Sequence, residues 1–121
     1  MKTASFFTYT GPGRISIARW APRATPAGFR IYRPLNPTAA MLKLPRVEYE
    51  PRYQAILSRL DPRQVIQDLH CLADPHEPVL LCWERLPFSQ TVWCHRRMVA
   101  DWLQNTLVLQ LQINRLYFIG Y

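Results

Sequence analysis

The amino-acid sequence predicts an α/β protein, a small three-layer Rossmann-like domain with a mostly parallel central sheet. Three observations carry that prediction. The run Val79-Leu80-Leu81-Cys82 is apolar without alternation, as a strand buried on both faces of a parallel sheet must be. Apolar residues at helical spacing precede it, over about Val47 to Leu72, and follow it at Met98, Val99, Trp102 and Leu103. A strand pattern stands earlier still, where Ile15 and Ile17 share one face. Strand, helices, strand, helix and strand in that order define the class. A chain of 121 residues is most economically a single domain over 1–121, large enough for one apolar core.

The elements follow in chain order. Arg14 to Trp20 reads as a strand leaving the Gly11-Pro12-Gly13 turn. Residues 21–45 contain Pro22, Pro26, Pro34, Pro37 and Pro45, which exclude a long helix and leave only a short extended piece around Phe29 to Arg33. Tyr49, Tyr53, Ile56, Leu57 and Leu60 then fall on one helical face. Asp61-Pro62 supplies an N-cap and a first-turn proline for a second helix carrying Val65, Ile66, Leu69 and Leu72. Asp74-Pro75-His76-Glu77-Pro78 ends it. After the apolar strand, Ser89 and Thr91 are candidate caps for the last helix. Leu107, Leu109, Leu111 and Ile113 alternate with Val108, Gln110, Gln112 and Asn114, which reads as a late, half-wet strand.

Composition narrows the function classes. A hydrophobic content of 49% argues for an ordered chain. No apolar run approaches the roughly 18 residues that span a bilayer, so no membrane partner is expected. The start of the chain, with one lysine and a short apolar patch, is a poor signal peptide. Three cysteines are too few for a disulfide scaffold, and reduced thiols fit a cytoplasmic home. The net charge of +7 is uneven: residues 1–60 hold ten Lys/Arg against two acids, giving +8, and residues 61–121 hold five against six, giving −1. That asymmetry suits attraction to a phosphate-bearing partner, and it equally suits a solvated basic face. Thirteen arginines against two lysines lean towards bidentate contacts with phosphate or carboxylate.

The candidate site gathers where the apolar strand ends in Cys82 and Glu84 and the next helix opens with Cys94-His95-Arg96-Arg97. In an open α/β sheet, ligands bind beyond the carboxyl ends of the strands. Arg96 and Arg97 in a first helical turn oppose the helix dipole, a choice that an anion at the same end would offset. Arg19, leaving the first strand, would converge on this edge if the strands are neighbours. The alternative is that Arg96 and Arg97 pair with Glu84 and Asp101 without any ligand. Cys94 sits where a thiol pKa is lowered, which suits a nucleophile with His95 or Glu84 handling protons; a structural thiol is the simpler reading. Glu84 either emerges into solvent or, if desolvated, becomes a candidate acid or base. Cys82, Glu84, Cys94 and His95 lack paired Cys-x-x-Cys spacing, and the arginines would repel a cation, so no metal or cofactor is expected. His70, Cys71 and His76 earn no role, His70 facing outward and Cys71 filling space. Phe6, Phe7, Tyr9, Trp20, Tyr32 and Trp83, interleaved with arginine, either stack on bases or pack the core, and core packing is preferred.

Val79 to Glu84, Cys94-His95-Arg96 and Val99-Ala100-Asp101-Trp102-Leu103 together resemble the signature of the DUF488 family, small bacterial and phage-encoded α/β proteins of unknown function. Ile17-Ala18-Arg19 with Pro22 is similar to that family's strand ending in Asp-Val-Arg before a proline, with Ile17 in place of the aspartate. The likeness covers most of residues 14–105. It implies an α/β fold and marks Arg19, Cys82, Glu84, Cys94, His95 and Arg96 as motif positions, without supplying a reaction.

The function expected is binding of a nucleotide or nucleic acid. Arg19, Arg96, Arg97 and Cys82 would contact the ligand, and Glu84, Cys94 and His95 would carry any chemistry. A thiol- or carboxylate-dependent hydrolase or transferase acting on a nucleotide-like substrate is one alternative. A protein-interaction module using the loop of residues 20–37 is another.

Overall fold

The computed structural model describes residues 1–83 and 95–119, with side chains placed as far as Leu107. Its strands are β1 (Lys2–Ser5), β2 (Arg14–Ser16), β3 (Arg30–Ile31) and β4 (Val79–Cys82), and its helices are α1 (Arg46–Ser58), α2 (Pro62–Ala73) and α3 (His95–Ile119). The strands form one sheet in the order β1-β4-β2-β3, and every pairing is parallel. The α/β class and parallel sheet are those that the sequence predicts.

β4 is central, flanked by β1 and β2, and all four of its residues are buried. Its uniform hydrophobicity follows from that position, because each face of the strand meets apolar cover. Leu80 and Ile15 are partners across the β2–β4 pair and join the larger core with Tyr49, Tyr53 and Leu57 of α1, Val65 and Leu69 of α2, and Val99 and Leu103 of α3. Val79 and Leu81 point the other way, into a smaller cluster with Phe6 and Ala18, against which Tyr9, Ala21 and Phe29 pack. Helices therefore cover one face of the sheet, and loop residues cover the other.

The region rich in proline contains two short 3-10 turns, Arg33–Leu35 and Ala40–Lys43, and no α-helix. It is ordered by a buried cation. Arg14, at the start of β2, donates from Nε to the Gly11 carbonyl at 3.0 Å and from Nη1 to the Pro26 carbonyl at 2.9 Å. Its Nη2 also reaches the Ala27 carbonyl. A guanidinium has five donors and no acceptor, so a crossing of loop carbonyls is a site that it satisfies well. Arg14 is thus structural, and the positive excess of the first half is not all available at the surface.

α2 begins as its sequence requires. Asp61 has extended backbone and its side chain accepts from the Arg63 N–H at 3.1 Å, with Pro62 in the first turn. Replacing Asp61 by alanine is expected to cost about 1 kcal/mol, the usual worth of such a cap. Urea denaturation of the variant measures it, and a change below about 0.3 kcal/mol would show that the cap carries no stability.

One expectation is corrected and one element is new. The segment from Leu107 to Ile113 is not a strand: α3 runs unbroken from His95 to Ile119. The alternation there coexists with helical spacing, since Leu103, Leu107 and Leu111 recur every four residues. Leucine and glutamine favour helix, and no glycine or proline interrupts the chain before Gly120. β1 carries no apolar alternation, and the sequence pattern assigns it no element. It is an edge strand whose Lys2 is exposed, and edge strands need little hydrophobicity and often carry lysine.

Candidate functional site at the carboxyl edge of the sheet

Parallel strands bring their carboxyl ends to one edge. Here those ends are Ser5, Ser16 and Cys82, followed by Phe6-Phe7, Ile17-Ala18-Arg19-Trp20 and Trp83. The first turn of α3 docks on the same edge. His95 Nε2 lies 2.8 Å from the Ile17 carbonyl, and its Nδ1 lies 3.6 Å from Cys82 Sγ. A carbonyl only accepts, so Nε2 carries the proton and donates, leaving Nδ1 bare in the neutral ring. The ring stands edge-on to Tyr53 at 5.0 Å and tilted to Tyr49 at 6.4 Å. Tyr53 is anchored in turn, its hydroxyl donating to the Leu35 carbonyl at 2.6 Å.

His95 is buried, and burial lowers its pKa to about 4, against the raising effect of the Ile17 hydrogen bond and with a further lowering by Arg96. At neutral pH it is an uncharged latch between α3 and the end of β2. A proton carrier near pH 7 needs a pKa close to that value, and this imidazole has been moved away from it.

Arg96, the next residue, is only 2% exposed. Its side chain is engaged by its surroundings. The first turn of α3 contains no acid, so the guanidinium stands at the positive end of the helix dipole. Arg97 points elsewhere. It is largely exposed and 3.8 Å from Asp101, one turn along the helix, the pairing foreseen as the alternative to a ligand. Both line a groove of about 830 Å³ between α1 and α3, together with Arg46, Glu50 and Trp102. Arg46 and Glu50 bond at 2.6 Å there, so opposite charges on that surface largely answer each other.

Arg19 lies on the sheet edge as expected, exposed, with its guanidinium carbon 5.6 Å from the centre of the Trp20 ring. Cys82 is disulfide-bonded, which corrects the expectation of reduced thiols and removes the thiol argument for a cytoplasmic home. Cys71 is free and exposed rather than space-filling. Glu84, Cys94, Ser89 and Thr91 lie outside the described residues. Among the described residues, no three metal-ligating side chains gather, and no helix is long and apolar enough to cross a membrane.

The aromatic residues divide in a way that sequence reasoning did not foresee. Phe6 and Tyr32 are buried and Tyr9 is half-buried, as core packing requires. Phe7, Trp20 and Trp83 are 48%, 60% and 44% exposed. They are also contiguous. Trp83 donates from its indole N–H to the Trp20 carbonyl at 2.6 Å, and its ring meets Phe7 edge-on at 6.0 Å. The signal available in the sequence was their place immediately after strand ends, next to Arg19.

These features define a class: a small parallel α/β protein whose strand-end edge combines a buried cation, an exposed cation and exposed aromatic rings. No family model matches the chain, and no curated protein or solved structure matches it.

Proposed function

We propose that the protein binds a phosphate-bearing ligand, a nucleotide or nucleic acid, at the carboxyl edge of its sheet. The observation that carries this reading is the burial of Arg96 in the first turn of α3. An arginine cannot shed its charge, and placing it at the positive end of a helix works against folding. Anion binding suits that combination, because the backbone N–H groups of a helix start and a guanidinium each bind anions. Arg19 is the exposed cation on the same edge, and the basic first half draws phosphate towards it. The resemblance to DUF488 proteins marks the same two arginines, and we propose the chain as a member of that family on those motif residues. Binding is preferred to hydrolysis because His95, neutral and tied to Ile17, is poorly suited to moving protons near pH 7.

A salt titration tests the reading. Affinity for a short single-stranded oligonucleotide is expected to fall with ionic strength, each phosphate contact adding about −0.7 to the log–log slope. Arg19→Ala should weaken binding several-fold and reduce the slope by about one contact. Arg96→Met keeps most of the side-chain volume and removes the buried charge, so it should lower affinity about tenfold, with circular dichroism to confirm that the variant is folded. No binding at low salt, or affinity indifferent to salt, would refute the proposal.

A further inference from the structure

We infer that Trp20, Trp83 and Phe7 form a stacking surface for a nucleobase, so that the ligand of this edge is recognised by its base as well as its phosphate. The inference rests on the anion-binding reading above and adds the part of the ligand that phosphate contacts cannot specify.

The geometry carries it in three steps. Tryptophan is a poor choice for solvent, since its large apolar surface gains most from burial, yet Trp20 is the most exposed of the described aromatic residues at 60%. Its neighbours on the surface are Trp83 and Phe7, joined through the Trp83 indole bond to the Trp20 carbonyl and the Phe7–Trp83 ring contact. Three exposed aromatic residues linked in this way make a patch rather than a scatter of single residues, and such patches mark binding sites. The rings are held from beneath: Ser5 Oγ donates to the Trp83 carbonyl at 3.1 Å and accepts from the Phe7 N–H at 3.2 Å. Two strand ends thus place the side chains on a rigid base.

Charge identifies the occupant. Arg19 lies against the Trp20 ring, presenting a cation and a π-face together. Aromatic rings beside arginine on a basic surface are the features by which proteins bind bases and phosphates of unpaired nucleic acid. An apolar protein segment would use the rings but not the arginine, and inorganic phosphate would use the arginine but not the rings. A nucleotide unit uses both.

The test compares ligands that differ only in their bases. A deoxyadenosine hexanucleotide is titrated against the full chain at low salt beside an abasic phosphodiester of the same length and charge, with tryptophan fluorescence as the readout. The hexanucleotide is expected to bind about tenfold tighter and to quench the fluorescence. Trp20→Ala should remove most of that preference and Trp20→Phe should restore much of it; circular dichroism confirms that both remain folded, as the exposure of Trp20 leads one to expect. Adenosine monophosphate is the further arm. A Trp20-dependent quench by the mononucleotide assigns a free nucleotide, and one seen only with the hexanucleotide assigns a strand; either supports the inference. Equal, salt-dependent affinity for the base-bearing and abasic strands overturns it while leaving the anion site standing. A base preference unmoved by Trp20→Ala overturns this surface as its origin. Failure of every probe at low salt overturns both readings.

Discussion

Replacing Gly13 by alanine is expected to cost about 4 kcal/mol. Two terms add. Gly13 has φ 81°, a conformation that L-residues adopt only under strain, typically about 1 kcal/mol or more. A Cβ there would also stand 2.1 Å from the Glu77 carbonyl oxygen. That atom belongs to the backbone leading into β4 and cannot swing aside as a side-chain tip would, so relief requires β2 and β4 to part. Overpacking of that kind costs roughly 1–3 kcal/mol. The two strands are joined at this point by the Val79 N–H donating to the Gly13 carbonyl at 2.8 Å, so separation also strains the register that sets Ile15 beside Leu80. Domain stabilities are typically 5–15 kcal/mol, and the variant should melt about 15 °C lower by scanning calorimetry. Gly11→Ala is the control. Its Cβ would meet only the side chain of Tyr9, so it should cost well under half as much. Equal losses at the two positions would show that the Glu77 carbonyl is not the obstacle.

Gly13 also illustrates which parts of the fold were legible. The turn before β2 was visible in Gly11-Pro12-Gly13, and β4 in its unbroken hydrophobicity, because both are local consequences of backbone freedom and two-faced burial. The caps and stripe of α2 were readable for the same reason. What failed was pattern without context. Leu107 to Ile113 satisfies period two and, through Leu103, Leu107 and Leu111, period four. The helix wins there, in a stretch rich in helix formers with nothing to break it. Strand β1 was invisible because an edge strand is defined by its neighbour: Ala4 and Ser5 lie beside Leu81 and Cys82 in a register that no property of Lys2-Thr3-Ala4-Ser5 announces.

The placement of the candidate residues was legible in part as well. Topology put Arg19 just beyond the end of a strand, and helical spacing put Arg96 in the first turn of the last helix. Arg97 was grouped with Arg96 because they are adjacent, yet neighbours on a helix diverge by about 100°, and one is buried while the other meets Asp101 at the surface. The exposed trio Phe7, Trp20 and Trp83 was misread as core because composition favours burial of aromatics and only the three-dimensional arrangement separates Phe6 from Phe7. The role of Arg14 was missed for a similar reason, since its carbonyl partners lie up to thirteen residues away.

Acidification from pH 7.5 to 4.5 is expected to cost the protein about 2.5 kcal/mol through His95 alone. In the unfolded chain this imidazole titrates near 6.5; in the folded protein burial holds it at about 4. Between those values the unfolded state takes up a proton that the folded state refuses. The stability contributed by the neutral ring is therefore complete above pH 6.5 and is lost progressively as pH falls towards 4. The groups around the ring explain why it refuses the proton. Arg96 is a like charge on the next residue, Cys82 offers a disulfide sulfur rather than a thiolate, and Tyr53, whose own pKa is raised by burial, stays neutral. Asp68 and Glu77, whose carboxyls are held below their usual range by hydrogen bonds, keep their contributions in this window and lose them only at lower pH. Urea denaturation at several pH values measures the slope. His95→Gln supplies an amide to donate to the Ile17 carbonyl and cannot be protonated, so it should be somewhat less stable at pH 7.5 but lose little more by pH 4.5. A variant that kept the full acid-induced loss would place the pH dependence on other groups and dismiss His95 as the acid-sensitive latch of α3.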